Sequence, residues 1–169
     1  IPNGTKNIEL MKLFPKIIIS VILCTGLGAL SGILTSGEIQ TWYATLNKPS
    51  FNPPNWLFGP AWTTLYTLMG IAFALVWHKA SQMGIKLFQL SAVRLFLIQF
   101  ILNLAWSSIF FTWHQVALAL VEIVVLWFFI LLTIIHFYRF HKTAGILLIP
   151  YICWVSFATA LTAAIFYLN

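Results

Sequence analysis

Five long windows free of charged side chains constrain what this chain can fold into. They cover residues 17–37, 49–78, 95–121, 123–138 and 143–169, and a helix needs about 20 mostly apolar residues to cross the hydrocarbon core of a bilayer. Glu122 alone parts the third window from the fourth. Thr112, Trp113, His114 and Gln115 form a polar and aromatic break inside that stretch, so a hairpin is expected there. The reading is an all-α integral membrane protein, a bundle of five transmembrane helices near residues 16–36, 57–78, 89–111, 116–138 and 144–167, with an ordered first extramembrane loop. A membrane β-barrel is excluded, because its strands alternate over segments of about ten residues. Charged residues make up 7% of the chain and hydrophobic ones 61%, which leaves too little polar surface to cover a soluble globule. That excludes a soluble enzyme, a disordered chain and a nucleic-acid binder.

The few charges orient the bundle. With five spans, Lys6, Lys12, Lys16, Lys79, Lys86, Arg94, Arg139 and Lys142 share one side of the membrane, and Lys48 lies opposite. The positive-inside rule then places the N-terminus in the cytoplasm of a bacterial cell membrane. Arg94 is explained by snorkelling toward that basic side. Residues 1–10 precede Met11 and read as an expression remnant or disordered start, not as a signal peptide, with a single domain over 11–169. Cys24 and Cys153 lie inside apolar runs and carry no redox information.

Residues 38–58 form the long connection on the less basic side, with Pro49, Pro53 and Pro54 among Trp42, Tyr43, Lys48, Phe51 and Trp56. Three prolines restrict the backbone, so order is expected. The rings suit an interfacial aromatic belt; a segment this long also suits a lid over an opening between helices. On the helices, Asn103, Trp106, Ser107 and Phe110 share one face by spacing, as do Trp62, Tyr66 and Phe73, then Leu118, Glu122, Val125 and Phe129, and then Trp154, Ala158 and Leu161. Four stripes could line one cavity beneath the loop, although aromatic stripes also arise from bundle packing alone. Asn103 suits either ligand contact or an interhelical hydrogen bond. Glu122 stands out because a carboxylate within a span costs about 2.5 kcal/mol or more and marks a functional site; pairing with a neighbouring helix is the alternative. Gly28 and Gly32 form a small-xxx-small pair for close helix approach, either within the chain or at a dimer seam.

The run Trp42-Tyr43-x-x-Leu46-x-Lys48-Pro49-Ser50-Phe51-x-Pro53-Pro54-x-Trp56-x-x-Gly59-Pro60-x-Trp62-x-x-Leu65-Tyr66-x-x-Met69-Gly70 resembles the signature of the translocator protein family, TspO/MBR, the peripheral-type benzodiazepine receptors. Leu102-Asn103-x-Ala105-Trp106-x-x-Ile109-Phe110-Phe111, Ala119-Leu120-Val121-Glu122 and Pro150-Tyr151-x-x-Trp154-x-x-Phe157-Ala158-Thr159 agree with it in order and spacing. The resemblance implies a five-helix bundle, often a homodimer, holding hydrophobic ligands in a pocket closed by the first loop. Those ligands are tetrapyrroles such as protoporphyrin IX, PK11195 and benzodiazepine-type drugs. It implies that Trp62 and Trp154 face the ligand and take part in light- and oxygen-dependent porphyrin breakdown, and that Ala158 sits against bound drug. Tyr43 and Phe58 complete the expected ligand lining. The reading is a membrane receptor or sensor, with porphyrin degradation or transport of porphyrin or sterol-like ligands as alternatives.

Departures from the family pattern accompany the match. Animal relatives carry a Leu-Asn-Tyr run where this chain has Leu161-Thr162-Ala163, so sterol binding is not expected; they carry Trp where it has Leu118, so high affinity for the drugs that bind the human relative is not expected. His78, His114, His136 and His141 lie at span ends or in loops, mostly on different sides, which argues against paired haem ligands. No metal-ligand spacing or Ser/His/acid set is present.

Overall fold

In hydrocarbon, every backbone N–H and C=O must pair within its own segment, so each apolar window closes into a helix. The computed structural model describes residues 2–169, with side chains from residue 11 onward; the reading of residues 1–10 lies outside the residues described in full. Among the described residues, five helices are long and apolar enough to cross a membrane: Met11–Gln40, Asn55–Gln82, Ser91–Thr112, Val116–Phe140 and Lys142–Leu168. In chain order the elements are α1 (Pro2–Gln40), the short α2 (Trp42–Thr45), α3 (Phe58–Gln82), α4 (Ser91–Ser107), α5 (Val116–Phe140), α6 (Lys142–Leu147) and α7 (Ile149–Leu168). The bundle closes as a ring in which α1 lies along α3, α3 meets α6, α6 and α7 flank α5, α5 lies along α4, and α4 returns to α1.

Three local features differ from the sequence reading. First, α1 runs on through Gly37 to Gln40, so the connection starts at Thr41 and contains α2 and a single turn at Asn55–Leu57. Second, α4 ends in a wide π-type turn, Ser108–Thr112, and His114 takes a left-handed φ of 56° at the hairpin. Third, the last span is two helices, broken at Leu148 with Pro150 in the first turn of α7, where its missing N–H costs nothing.

Lipid tails compete with apolar side chains for contact, so helices in a bilayer associate through close approach and polar bridges. The face of α1 turned inward carries Ser20, Cys24, Gly28 and Thr35, while Ile18, Ile19, Ile22, Leu23, Leu27 and Leu30 face outward. A Cβ on Gly70 of α3 would lie 2.6 Å from Val21 Cα and 2.8 Å from its nitrogen, and one on Gly28 would run into the Tyr66 ring. Gly28 therefore serves packing within the chain. Gly32 has open space around it, so the two glycines do not share a use. Gly145 of α6 lies equally tight against Tyr138 of α5.

The basic end is tied by its lysines. Lys16 of α1 donates to Ser81 Oγ and lies over the Trp77 ring, and Lys79 donates to the Phe140 carbonyl. Beside Phe140, His141 Nδ1 accepts the Ala144 N–H at 3.3 Å and caps α6. Burial, with the Lys79 ammonium and His78 nearby, holds the His141 imidazole below its ordinary 6.5.

Gly70→Leu should cost about 1–3 kcal/mol as an overpacking strain, read as a lower Tm in detergent, whereas Gly32→Ala, a helix-interior change into open space, should hold or raise Tm. For His141, the unfolded chain binds the proton more readily than the folded one, so stability is intact above about pH 6.5 and falls as pH drops below it. His141→Asn keeps a cap acceptor without titration and should flatten that part of the pH–Tm curve.

Candidate functional site

At the middle of the bundle, polar side chains hold the helices in register. Tyr66 of α3 donates its phenol to Asn103 Oδ1 of α4 at 2.6 Å, and Tyr151 of α7 donates to Gln99 Oε1 of α4 at 2.9 Å. Gln99 Nε2 points at Met69 Sδ, 4.0 Å away. Asn103 therefore acts as an interhelical bridge, one of its two expected roles. Glu122 of α5 is 9% exposed, and both its carboxyl oxygens are buried without a hydrogen-bond partner. The indole Nε1 of Trp106 is buried in the same state. One indole donor and one carboxyl group are thus held among apolar side chains, at a cost that buried polar groups normally avoid.

Above the polar layer, Trp62 anchors an aromatic cluster. It stacks on Tyr66 with centroids 5.6 Å apart and meets Tyr151 and Trp154 edge-on, each at 6.4 Å. Trp154 also contacts Phe58 and Phe157. Nearer the loop, Trp106 stacks on Phe110 at 5.1 Å, and Tyr43 packs edge-on to Phe110 and Phe111. Ala158 packs on the central cluster, and Leu161 is buried in the loop-end cluster with Tyr43 and Phe110.

Three expected lining residues fall elsewhere. Leu118 and Val125 are 48% and 41% exposed, because the inward face of α5 is the stripe Ala119, Glu122, Ile123, Leu126, Ile130, Thr133 and Phe137. Taking Leu118, Glu122 and Val125 as one stripe put its centre to one side of that face. Ser107 is engaged with α1, its hydroxyl 3.0 Å from Thr35 Oγ1. Outside the ring of helices, a groove of about 570 Å³ opens between α3 and α7, lined by Pro60, Ala61, Thr64, Leu65, Pro150, Cys153, Trp154 and Phe157. Of the expected ligand residues, Trp154 alone is on that lining. Among the described residues, no three metal-binding side chains gather.

The loop is ordered by polar ties. Lys48 Nζ donates to the carbonyls of Tyr43 at 2.8 Å and Leu46 at 2.9 Å, and lies over the Tyr43 ring. Its charge thereby satisfies the end of α2. Tyr43 is buried, which pushes its phenol up to about 12, and it donates to Asn52 Oδ1 at 2.6 Å. Asn47 and Asn169 exchange hydrogen bonds, 2.9 and 3.0 Å, joining the loop to the end of α7. Trp42 stacks on His114 at 4.3 Å, and His114 pairs with Glu38. Pro49, Pro53 and Pro54 keep the intervening chain extended or turned, Phe51 reaches Phe157, and Trp56, 71% exposed, suits the interfacial belt. The ties through Asn169 and His114 join positions far apart in sequence, and no spacing pattern signals them.

The TspO/MBR family model matches residues 20–168. The chain is 45% identical over 162 residues to the "Tryptophan-rich protein TspO" of Chlorobaculum tepidum, covering 91% of this chain and 98% of the relative. It is 33% identical over 155 residues to the "Tryptophan-rich sensory protein" of Cereibacter sphaeroides, covering 88% and 91%. The human "Translocator protein" is 38% identical over 125 residues, covering 74% and 73%.

If Lys48 holds the loop as its contacts indicate, Lys48→Met keeps the stem and removes three donors. Amide hydrogen exchange across residues 42–52 should then accelerate about tenfold, corresponding to about 1.5 kcal/mol from the lost charge-assisted bonds, while exchange in α3 stays unchanged.

Proposed function

The chain belongs to the TspO/MBR family, and on that footing we propose that it is a membrane receptor or sensor whose ligand is a flat, hydrophobic tetrapyrrole of the protoporphyrin IX type. Compounds of the PK11195 and benzodiazepine type would use the same seat. The observation that carries this reading is the pairing of two layers: the rings around Trp62 and, next to them, buried polar groups that include Glu122 and Trp106 Nε1 without protein partners. Flat aromatic ligands are held by offset and edge contacts with such rings, and a few fixed polar groups orient them. Tyr43, Phe58, Trp62, Tyr66, Trp106, Phe110, Trp154, Ala158 and Leu161 supply the apolar lining; Asn103 and Glu122 supply the polar part. The loop through Lys48 closes the site from the aqueous side. In this reading the protein is a homodimer in a bacterial cell membrane, with its N-terminus and basic end in the cytoplasm, as the excess of lysine and arginine at that end favours.

A second reading rests on the Trp62–Trp154 contact, 6.4 Å between centroids. With a bound porphyrin absorbing the light and molecular oxygen as the oxidant, two indoles packed against the macrocycle would be the side chains placed to support its oxidative breakdown.

Purified protein titrated with protoporphyrin IX, followed by tryptophan fluorescence and absorbance in the dark and then in light, tests both. The parent should show saturable quenching, and Trp62→Phe/Trp154→Phe should weaken binding about tenfold. Porphyrin loss on illumination confined to the parent supports the second reading; no loss removes it. Absence of saturable quenching removes porphyrin as the ligand. Glu122→Leu replaces an unpartnered carboxyl group with an apolar group of similar size, so it should raise Tm, by roughly 1–3 kcal/mol of relieved desolvation, and still lower porphyrin affinity. Unchanged affinity would take Glu122 out of the site.

A further inference from the structure

The groove between α3 and α7 has a position and a lining that the bundle's packing does not require. We infer that it is a lateral portal through which a hydrophobic ligand dissolved in the acyl chains reaches the aromatic cluster, an inference that rests on the ligand-binding reading above. Its walls belong to the spans Asn55–Gln82 and Lys142–Leu168, so it opens toward lipid. Its origin lies in the break at Leu148. Near the basic end α6 packs against α3; beyond Leu148 and Pro150 the chain continues as α7, and from there the two backbones are bridged by large rings across about 570 Å³.

The lining divides into two kinds of residue. Ala61, Thr64, Cys153 and the prolines at 60 and 150 are small or rigid and leave the opening wide. Trp154 and Phe157 are large, and they form a tilted ring pair 5.7 Å apart. Trp154 is shared, since it lines the groove and also meets Trp62 and Phe58. A rotation of these two rings therefore joins the groove to the cluster without separating the helices. Phe157 is in turn edge-on to Phe51 of the loop, 6.3 Å away, so the loop that covers the aqueous end also holds one ring of the lateral gate.

The occupant is a flat apolar solute and not a resident lipid tail. The groove leads to aromatic faces on which stacking is favourable, and a saturated chain gains no more there than in the surrounding bilayer. A portal changes rates and leaves the equilibrium alone, which sets the experiment. The full chain in bilayer nanodiscs is mixed with protoporphyrin IX, and tryptophan quenching is followed by stopped flow, with dissociation measured by transfer to empty vesicles. Two independent obstructions are compared with the parent: Ala61→Phe, and alkylation of the exposed Cys153 with a bulky maleimide. Cys24 is buried, and Cys153→Ser treated identically is the control.

Both obstructions should slow association and dissociation by about tenfold or more and leave the equilibrium constant within about twofold, because a blocked route does not alter the end states. Unchanged rates with saturable binding would overturn the portal and leave the receptor reading standing. Loss of equilibrium affinity would overturn it in another way, making the groove the ligand's seat. No saturable binding by the parent defeats the receptor reading and the portal with it.

Discussion

Two tyrosine phenols, each hydrogen-bonded to an amide on α4, hold the centre of this bundle, and the rest of the architecture is arranged around them. In lipid the apolar effect that drives soluble folding is nearly absent between helices, since a leucine gains little by exchanging an acyl chain for another leucine. What remains is close packing and polar pairing. Tyr66 on Asn103 fastens α3 to α4, and Tyr151 on Gln99 fastens α7 to α4. Both lie in the interior, where water does not compete. Gly28 accommodates the Tyr66 ring, and Gly70 lets α1 approach α3 backbone to backbone. The Tyr66 bridge thus depends on a small residue, Gly28, beside it. The same tyrosines stand at the edge of the ring cluster around Trp62, so the elements that hold the helices also form the floor of the candidate site.

The two ends are closed by different means. At the basic end, lysine ammonium groups lie over aromatic rings and also reach hydroxyl or carbonyl oxygens, an arrangement suited to side chains that carry their charge out of hydrocarbon. At the loop end a single lysine turns inward and satisfies carbonyls of α2. Its charge is consumed in ordering the loop. The loop therefore covers the ends of α4 and α5 as a packed layer, with Tyr43 as its buried plug.

Much of this was legible in the sequence, and the failures are informative. Charge-free windows located the spans because the cost of placing charge in hydrocarbon outweighs local preference. The aromatic residues of the candidate site stand as stripes at helical spacing, and ring contacts bring Trp62, Tyr66, Phe58 and Trp154 together. Leu118 and Val125 face outward because apolar residues occupy nearly every side of α5, so residue type alone does not mark its inward face; packing against α4, α6 and α7 selects the stripe through Ala119 and Leu126. Ser107 could serve a ligand or a neighbouring helix with the same hydroxyl, and the position of Thr35 decided it. The close backbone approach at Gly70 carries no sequence signal because its partner Val21 lies about fifty positions away.

The sequence by itself determined the number of spans, their helical nature, the end that carries the basic residues and the family, because each depends on local transfer energies or on motifs read in order. Tertiary structure decided which residues face inward, which polar groups find partners and where an opening remains. Asn103 found Tyr66, while Glu122 and Trp106 Nε1 found no partner, and α7 left a groove beside α3. Pairing and packing depend on distances between segments far apart along the chain, and those distances exist only once all the helices have been placed together.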